Sequence, residues 1–222
     1  LLDVNADKAQ AALAELGDNA QFIAVDVTDE SAVRAALAKA AEFSGGINAA
    51  INCAGVLGAG RALGREAPMP LDRFAKTVQI NLVGSFNIAK EAAAVMQQNE
   101  AGQDGERGVI INTASVAAYE GQVGQAAYSA SKAGLVGMTL PLAREFTRFG
   151  IRVMTIAPGI FHTPMVDEMP PAVQESLGAS IPFPQRLGQS SEFADLAAHI
   201  IENTYLNGST IRLDGAVRLQ AK

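Results

Sequence analysis

Apolar residues along this chain follow two alternating rhythms. Short, largely apolar runs at 22–25, 47–53, 108–115 and 151–157 lack a polar residue at every second position, and so predict strands buried on both faces, and 210–213 reads as a last strand. Between them the spacing is helical. Ala9, Ala12, Leu13 and Leu16 follow a capping Asn5 and stop at Gly17. Val33, Leu37, Ala40 and Phe43 form a stripe behind a capping Thr28, with Asp29 and Glu30 adding negative charge to the first turn. Phe74, Val78, Leu82, Phe86 and Ala89 mark the inward side of one long helix over 71–98. A helix over 123–148 contains Pro141, which predicts a bend, and a last helix covers 191–203. Leu1 and Leu2, followed by Asp3, read as the end of a further buried strand.

Buried strands alternating with helices predict an α/β fold, a doubly wound parallel sheet of the Rossmann-like kind, forming a single domain over 1–222. Such sheets bind ligands beyond the carboxyl ends of their strands, and Asp3, Asp26, Cys53, Ser115 and Pro158 all fall at such ends. In the doubly wound order the first strand is central. A chain that opens at the end of the second strand therefore predicts a strand–Gly-rich turn–helix unit upstream of Leu1. It also predicts an open slot between residues 1–2 and 47–52. Gly55, Gly58, Gly60 and Gly64 do not replace the missing turn: their spacing is wrong, and they lead into an irregular stretch over 56–70. The excursion over 158–184 has an apolar pattern of its own, Met165, Val166, Met169, Val173 and Leu177, and residues 164–184 read as a lid over a substrate.

Composition narrows the setting. A 222-residue chain that is 49% apolar and 18% charged suits a globular enzyme, and a net charge of −6 disfavours nucleic acid or an anionic membrane as partner. One cysteine rules out an internal disulfide framework and fits a reducing compartment, the cytoplasm or a mitochondrial matrix. No apolar run has the length of a membrane span. His162 and His199 have no neighbours that suggest a metal site or a nucleophile triad; His162 reads as a loop residue that either lines the cleft or faces solvent.

The densest chemistry lies in GVIINTASVAAYEGQVGQAAYSASKAG, residues 108–134. Tyr128 and Lys132 are four residues apart on a helix and share a face. A phenol ionises near pH ~10, and an ammonium close by favours the phenolate. Ser115, where its strand ends, is placed to hydrogen-bond the oxygen that Tyr128 protonates or deprotonates, giving an acid–base site for an alcohol/carbonyl pair. The competing reading of Lys132 is a solvated neighbour of Tyr128. Asp3 reads either as an acceptor for the ribose hydroxyls of a nucleotide, repelling a 2′-phosphate, or as a solvated helix-capping residue.

These residues, with GIRVMTIAPGIF, IPFPQRLG and LNGSTIRLDGAVR, make the chain resemble the short-chain dehydrogenase/reductase family, most closely its type-2 3-hydroxyacyl-CoA dehydrogenases, over essentially its whole length. The resemblance implies an NAD-dependent oxidoreductase with Ser115, Tyr128, Lys132 and Asn81 as catalytic residues, Ser115 also holding substrate. It places Asp26 and Val27 beside the adenine and the Cys53 backbone along the ribose. Phe161 and Thr163 then lie near the nicotinamide, with Tyr128 and Lys132 at its ribose. Asn81 without the resemblance reads equally as a residue that satisfies loop backbone. The implied substrate is a 3-hydroxyacyl-CoA, interconverted with a 3-oxoacyl-CoA, and the implied assembly is a homotetramer. Steroid or short-alcohol oxidation and 3-oxoacyl carrier-protein reduction are the alternatives within the class. A non-catalytic binding or scaffold protein is the alternative outside it.

Overall fold

The structure, a computed structural model, describes residues 1–163, 166 and 169–221, without the side chain of Lys8. Its strands are β1 (Leu2–Asp3), β2 (Ile23–Ala24), β3 (Ala49–Asn52), β4 (Gly108–Thr113), β5 (Ile151–Pro158) and β6 (Thr210–Leu213). All ladders are parallel. β1 pairs with β2, and β3, β4, β5 and β6 pair in that order. Among the described residues no ladder joins β1 to β3.

β4 and β5 form the middle of the larger sheet and are buried along nearly their whole length. Strand pleating sends alternate side chains to opposite faces. Ile110, Ile151 and Val153 enter one core with Leu37, Ile88, Met96 and Phe146, which also takes in Leu2 and Ile23 from the smaller ladder. Val109, Ile111, Met154 and Ile156 enter a second core with Ala197 and Ile200. Continuous apolar runs are therefore what the two-sided burial requires.

The helices covering these faces are α1 (Ala6–Leu16), α2 (Glu30–Ser44), α3 (Leu71–Val78), α4 (Ser85–Met96), α5 (Ala126–Phe146), α6 (Pro171–Ala179) and α7 (Ser190–Glu202). The cap of α2 is Asp29 rather than Thr28. The Asp29 carboxylate accepts from the Ala32 amide at 2.9 Å, while the Thr28 amide and hydroxyl donate to Asp26. Leu16 and Phe43, expected inside, lie in the last turns of α1 and α2 and are exposed.

The long helix expected over 71–98 is interrupted. Gln79–Gly84 forms a π-helical turn between α3 and α4. Its wider turn shifts the phase of everything after it. Asn81, Ser85, Ile88, Ala92 and Met96 face inward, and Phe86, which a continuous α-helix would bury with Leu82, is 43% exposed. The excursion after β5 also departs from its expected single stripe. Pro170 caps α6, so residues before it belong to a different segment. Val166 and Leu177 pack with Ile181, Leu187 and Val217, Val173 is exposed, and Met165 lies outside the described residues.

Ile110 is fully buried in the middle of this arrangement. Ile110→Ala is expected to destabilise the protein by about 2–5 kcal/mol. Urea unfolding should show this as a lower midpoint with an unchanged slope; a loss below about 1 kcal/mol would place the stabilising core elsewhere.

Candidate active site

Because every strand is parallel, the carboxyl ends of β3, β4 and β5 emerge on one edge of the sheet, and the polar groups collect there. Ser115 stands two residues past β4. Its hydroxyl oxygen accepts from the Ala117 amide at 3.1 Å, capping the 3₁₀ turn Val116–Ala118 and fixing its own rotamer. Tyr128 and Lys132 lie on the first two turns of α5, with the Lys132 Nζ 5.7 Å from the Tyr128 ring centre.

Burial pushes the Tyr128 phenol above its ordinary range, opposing the lowering expected from its pairing with Lys132, and the Ser115 hydroxyl draws it partly back. Lys132 is itself buried, which lowers it to about 8, with the nearby Cys53 thiol working the other way. Its Nζ donates to the Thr113 carbonyl at 2.6 Å. That carbonyl ends β4, so the hydrogen bond ties the helix bearing the cation to the strand that leads to Ser115.

The π-helical turn delivers Asn81 into the same region. Its Oδ1 accepts from the Val56 amide at 2.8 Å, and its Nδ2 donates to the Val56 carbonyl at 2.8 Å and to the Ser131 hydroxyl at 3.0 Å. Ser131 in turn donates to the Tyr128 carbonyl at 2.7 Å. Asn81 therefore satisfies loop backbone and also braces the first turn of α5. Gly55 completes the wall: a Cβ there would come 3.3 Å from Asn81 Oδ1 and 3.5 Å from Lys132 Nζ, so the space facing the ammonium is free of a side chain from this loop.

A family model for short chain dehydrogenases matches residues 1–174. The chain belongs to the short-chain dehydrogenase family. It is 51% identical over 222 residues to human 3-hydroxyacyl-CoA dehydrogenase type-2, covering 99% of this chain and 85% of that protein. The Drosophila melanogaster protein of the same name is 50% identical over 221 residues, with 99% and 87% covered. A crystal structure of 3-hydroxyacyl-CoA dehydrogenase type-2 from Mycobacterium avium superposes with a TM-score of 0.93 at 42% identity, covering all of this chain and 86% of that one. This short-chain dehydrogenase is thus an oxidoreductase with a Rossmann-like parallel sheet.

The remaining residues singled out from the sequence of this dehydrogenase spread along the same strand ends. Asp3, the exposed last residue of β1, accepts from the Asn5 amide at 2.8 Å. Asp26 is held by Thr28, and the Val27 carbonyl accepts from Asn87 Nδ2 at 2.9 Å while its side chain packs on Gly84. Cys53 is exposed, its Sγ accepting from the Thr113 hydroxyl at 3.6 Å. Phe161 stacks over Gly188 in a small separate cleft with Ile160, Ile181 and Asp214, and Thr163 is exposed beyond it. His162 is bonded through its backbone to Gly188 and Ser190. A second, larger cleft of about 650 Å³ is walled by Arg61, Leu63, Tyr119, Gln122, Val123 and Ser129, on the loop that joins Ser115 to Tyr128, the start of α5 and the segment facing them, and neither Ser115 nor Tyr128 lines it. Among the described residues no cluster of His, Cys, Asp and Glu is placed to hold a metal ion, and no helix is long and apolar enough to cross a membrane.

Thr113, Gly55 and Ser131 belong to the site although the sequence assigns them no role in it. The first two act through a backbone carbonyl and a missing side chain, for which sequence offers no signal. Ser131 did carry one: a serine inside a helix commonly bonds a carbonyl one turn back.

The buried ammonium sets a pH test. Lys132 is lowered in the folded state, so below about pH 8 it is charged in both states and its burial costs stability throughout. Between there and its unfolded value the folded protein has released the proton and the unfolded chain has not. Stability contributed at this site therefore rises with pH across that window. Relative to Lys132→Met, the wild type is expected to gain roughly 1–3 kcal/mol from pH 7.5 to 10.5 in denaturant titrations. Parallel curves for the two proteins would mean that the ammonium is solvated.

Proposed function

We propose that this dehydrogenase interconverts a 3-hydroxyacyl-CoA and the corresponding 3-oxoacyl-CoA with NAD, using Ser115, Tyr128, Lys132 and Asn81. The observation that carries the reading is the convergence of a partly buried phenol, a serine hydroxyl and a buried ammonium at the end of one strand. The relatives named 3-hydroxyacyl-CoA dehydrogenase type-2 support the substrate class.

The residues present suit a nicotinamide dinucleotide. Lys132 uses one of its donors on Thr113 and faces the side-chain-free wall at Gly55, which is what ribose hydroxyls require. The Asp3 carboxylate, exposed at the end of β1, would take the adenosine ribose and disfavour a 2′-phosphate. Asp26 and Val27 would flank the adenine, the Cys53 backbone the ribose, and Phe161 and Thr163 the nicotinamide end. Bound there, the cofactor supplies the hydride acceptor.

In alcohol oxidation Tyr128, as phenolate, takes the hydroxyl proton. Ser115 holds the same substrate oxygen by a hydrogen bond as it becomes a carbonyl, its rotamer already fixed by the Ala117 amide. While it carries its proton, below about pH 8, Lys132 stabilises the phenolate electrostatically, and Asn81 keeps the first turn of α5 in place through Ser131. Leu63, Ala117 and Val123 give the larger cleft an apolar part that suits an acyl chain, beside the polar Arg61, Gln122 and Gln125. Exposed small residues on α5, Ala130, Ala133 and Gly137, suit close helix pairing in a homotetramer. The single free thiol fits a reducing compartment, the cytosol or the mitochondrial matrix.

The test is reduction of NAD by 3-hydroxybutyryl-CoA, followed by absorbance with full-length protein. The oxidation rate is expected to climb with pH, because burial keeps the phenol protonated near neutrality. Tyr128→Phe should lower turnover about 10²–10⁴-fold with the fold intact. A variant keeping more than about a tenth of the rate would remove Tyr128 from the mechanism.

NAD should be used in preference to NADP, and Asp3→Ala should narrow that preference by about tenfold, since both an acceptor and a repulsive charge are lost. Equal use of both cofactors by the unmodified enzyme would contradict the role of Asp3.

A further inference from the structure

The loop from Ser115 to Tyr128 is held at its far side by a part of the chain that no role above accounts for. Glu120 lies five residues past Ser115 and is joined to it through backbone bonds. The Ala118 amide donates to Ser115, and the amides of Tyr119 and Glu120 both donate to Val116 at 3.0 Å. The Glu120 carboxylate takes a bidentate fork from Arg212 of β6, at 2.8 and 3.2 Å, and a further bond from the Leu219 amide at 3.3 Å. Arg212 also donates to Asp214 at 2.7 Å and to the Val217 carbonyl at 3.2 Å, and its guanidinium lies 5.3 Å from the centre of the Tyr119 ring. Arg218 bridges the two carboxylates from outside.

Farther along the loop, the Val123 amide donates to the Ala221 carbonyl and the Gln122 side chain to the Gln220 carbonyl, both at 3.0 Å. Residues 214–221 thus lie across the loop and fasten it at three points. Their other side is apolar. Val217, 2% exposed, and Leu219 pack with Val166, Leu177 and Ile181 of the excursion after β5 and with Leu187 just past it. One short segment therefore touches both the excursion and the loop that joins the serine to the tyrosine.

We propose that residues 214–221 act as a strap that sets the position of the Ser115–Tyr128 loop, with Glu120 and Arg212 as its positioning residues. Its effect on turnover rests on the dehydrogenase reading above, but its effect on the loop does not. Glu120 touches neither Ser115 nor Tyr128 by side chain; it acts through the 3₁₀ turn that Ser115 caps. The strap transmits the packing of the excursion to that turn, so the order of one depends on the other.

The experiment uses full-length Glu120→Gln and Arg212→Lys. The first removes the charge of the fork, and the second keeps the charge but loses the planar bidentate geometry. Arg34→Met is the control: it breaks a partly buried ion pair with Glu91 on α4, remote from the loop. Amide exchange over 116–125 is expected to accelerate at least tenfold in both strap variants and to stay unchanged in the control. With 3-hydroxybutyryl-CoA, kcat should fall about tenfold in Glu120→Gln and less in Arg212→Lys, while KM for NAD holds. Unchanged exchange over 116–125 in the soluble strap variants overturns the proposal, as does faster exchange with unaltered kcat. If Glu120→Gln does not fold, Arg212→Lys alone decides by the same two outcomes. A wild type inactive on this substrate refutes the 3-hydroxyacyl-CoA reading, and the exchange data then decide whether the strap holds the loop.

Discussion

β4 and β5 run side by side with water excluded from both faces, and the other parts of the molecule are placed by what that ladder permits. No ionisable side chain is tolerated along its middle without full compensation. Arg152, near the start of β5, shows the condition: buried, it donates to Glu106 and to the carbonyls of Ile200, Ile201 and Leu206. At the other end the apolar run stops, and the ladder delivers Thr113 and Ser115 to an edge where hydrogen-bonding partners and space are available. A parallel sheet repeats this at every strand, so residues distant in sequence meet at one edge without any of them having to seek the others.

The groups at that edge are held at a cost. A buried ammonium and a buried asparagine replace what would otherwise be apolar contact, and each is tolerated because backbone supplies partners for it. The partners come from different elements: β4 for Lys132, the loop after β3 for Asn81, the 3₁₀ turn for Ser115. The site is therefore less a feature of α5 than a joint at which several elements satisfy one another's polar groups. Such joints resist small displacements, since moving one member strands a donor or acceptor in another.

What the sequence revealed followed from side chains at fixed local spacing. The strand runs, the four-residue step from Tyr128 to Lys132 and the serine at a strand end were all readable, because helix and strand periods translate directly into shared faces and edges. Phe86 and Val173 were misplaced for one reason: each lies past an irregularity, the π-helical turn or the Pro170 break, that resets the phase of a stripe while leaving its composition looking continuous. The Thr113 carbonyl, and the fork between Glu120 and Arg212, 92 positions apart, were invisible because neither a backbone acceptor nor a long-range ion pair leaves a local pattern.

The π-helical turn also determines which kinds of change this region can absorb. A wider turn accommodates one more residue than an α-helical turn spanning the same rise, so it acts as a spacer with a definite count. Substitutions at its outward positions, such as Val83, leave the count alone. Removing a single residue would let the two flanking helices fuse into one regular cylinder, a locally comfortable outcome that preserves every hydrophobic side chain. It would also swing Asn81 about 100° around the axis, away from Val56 and Ser131, and bring Phe86 back toward the core. The region would then lose its bracing through a gain in regularity, so chain length here is under tighter constraint than residue identity.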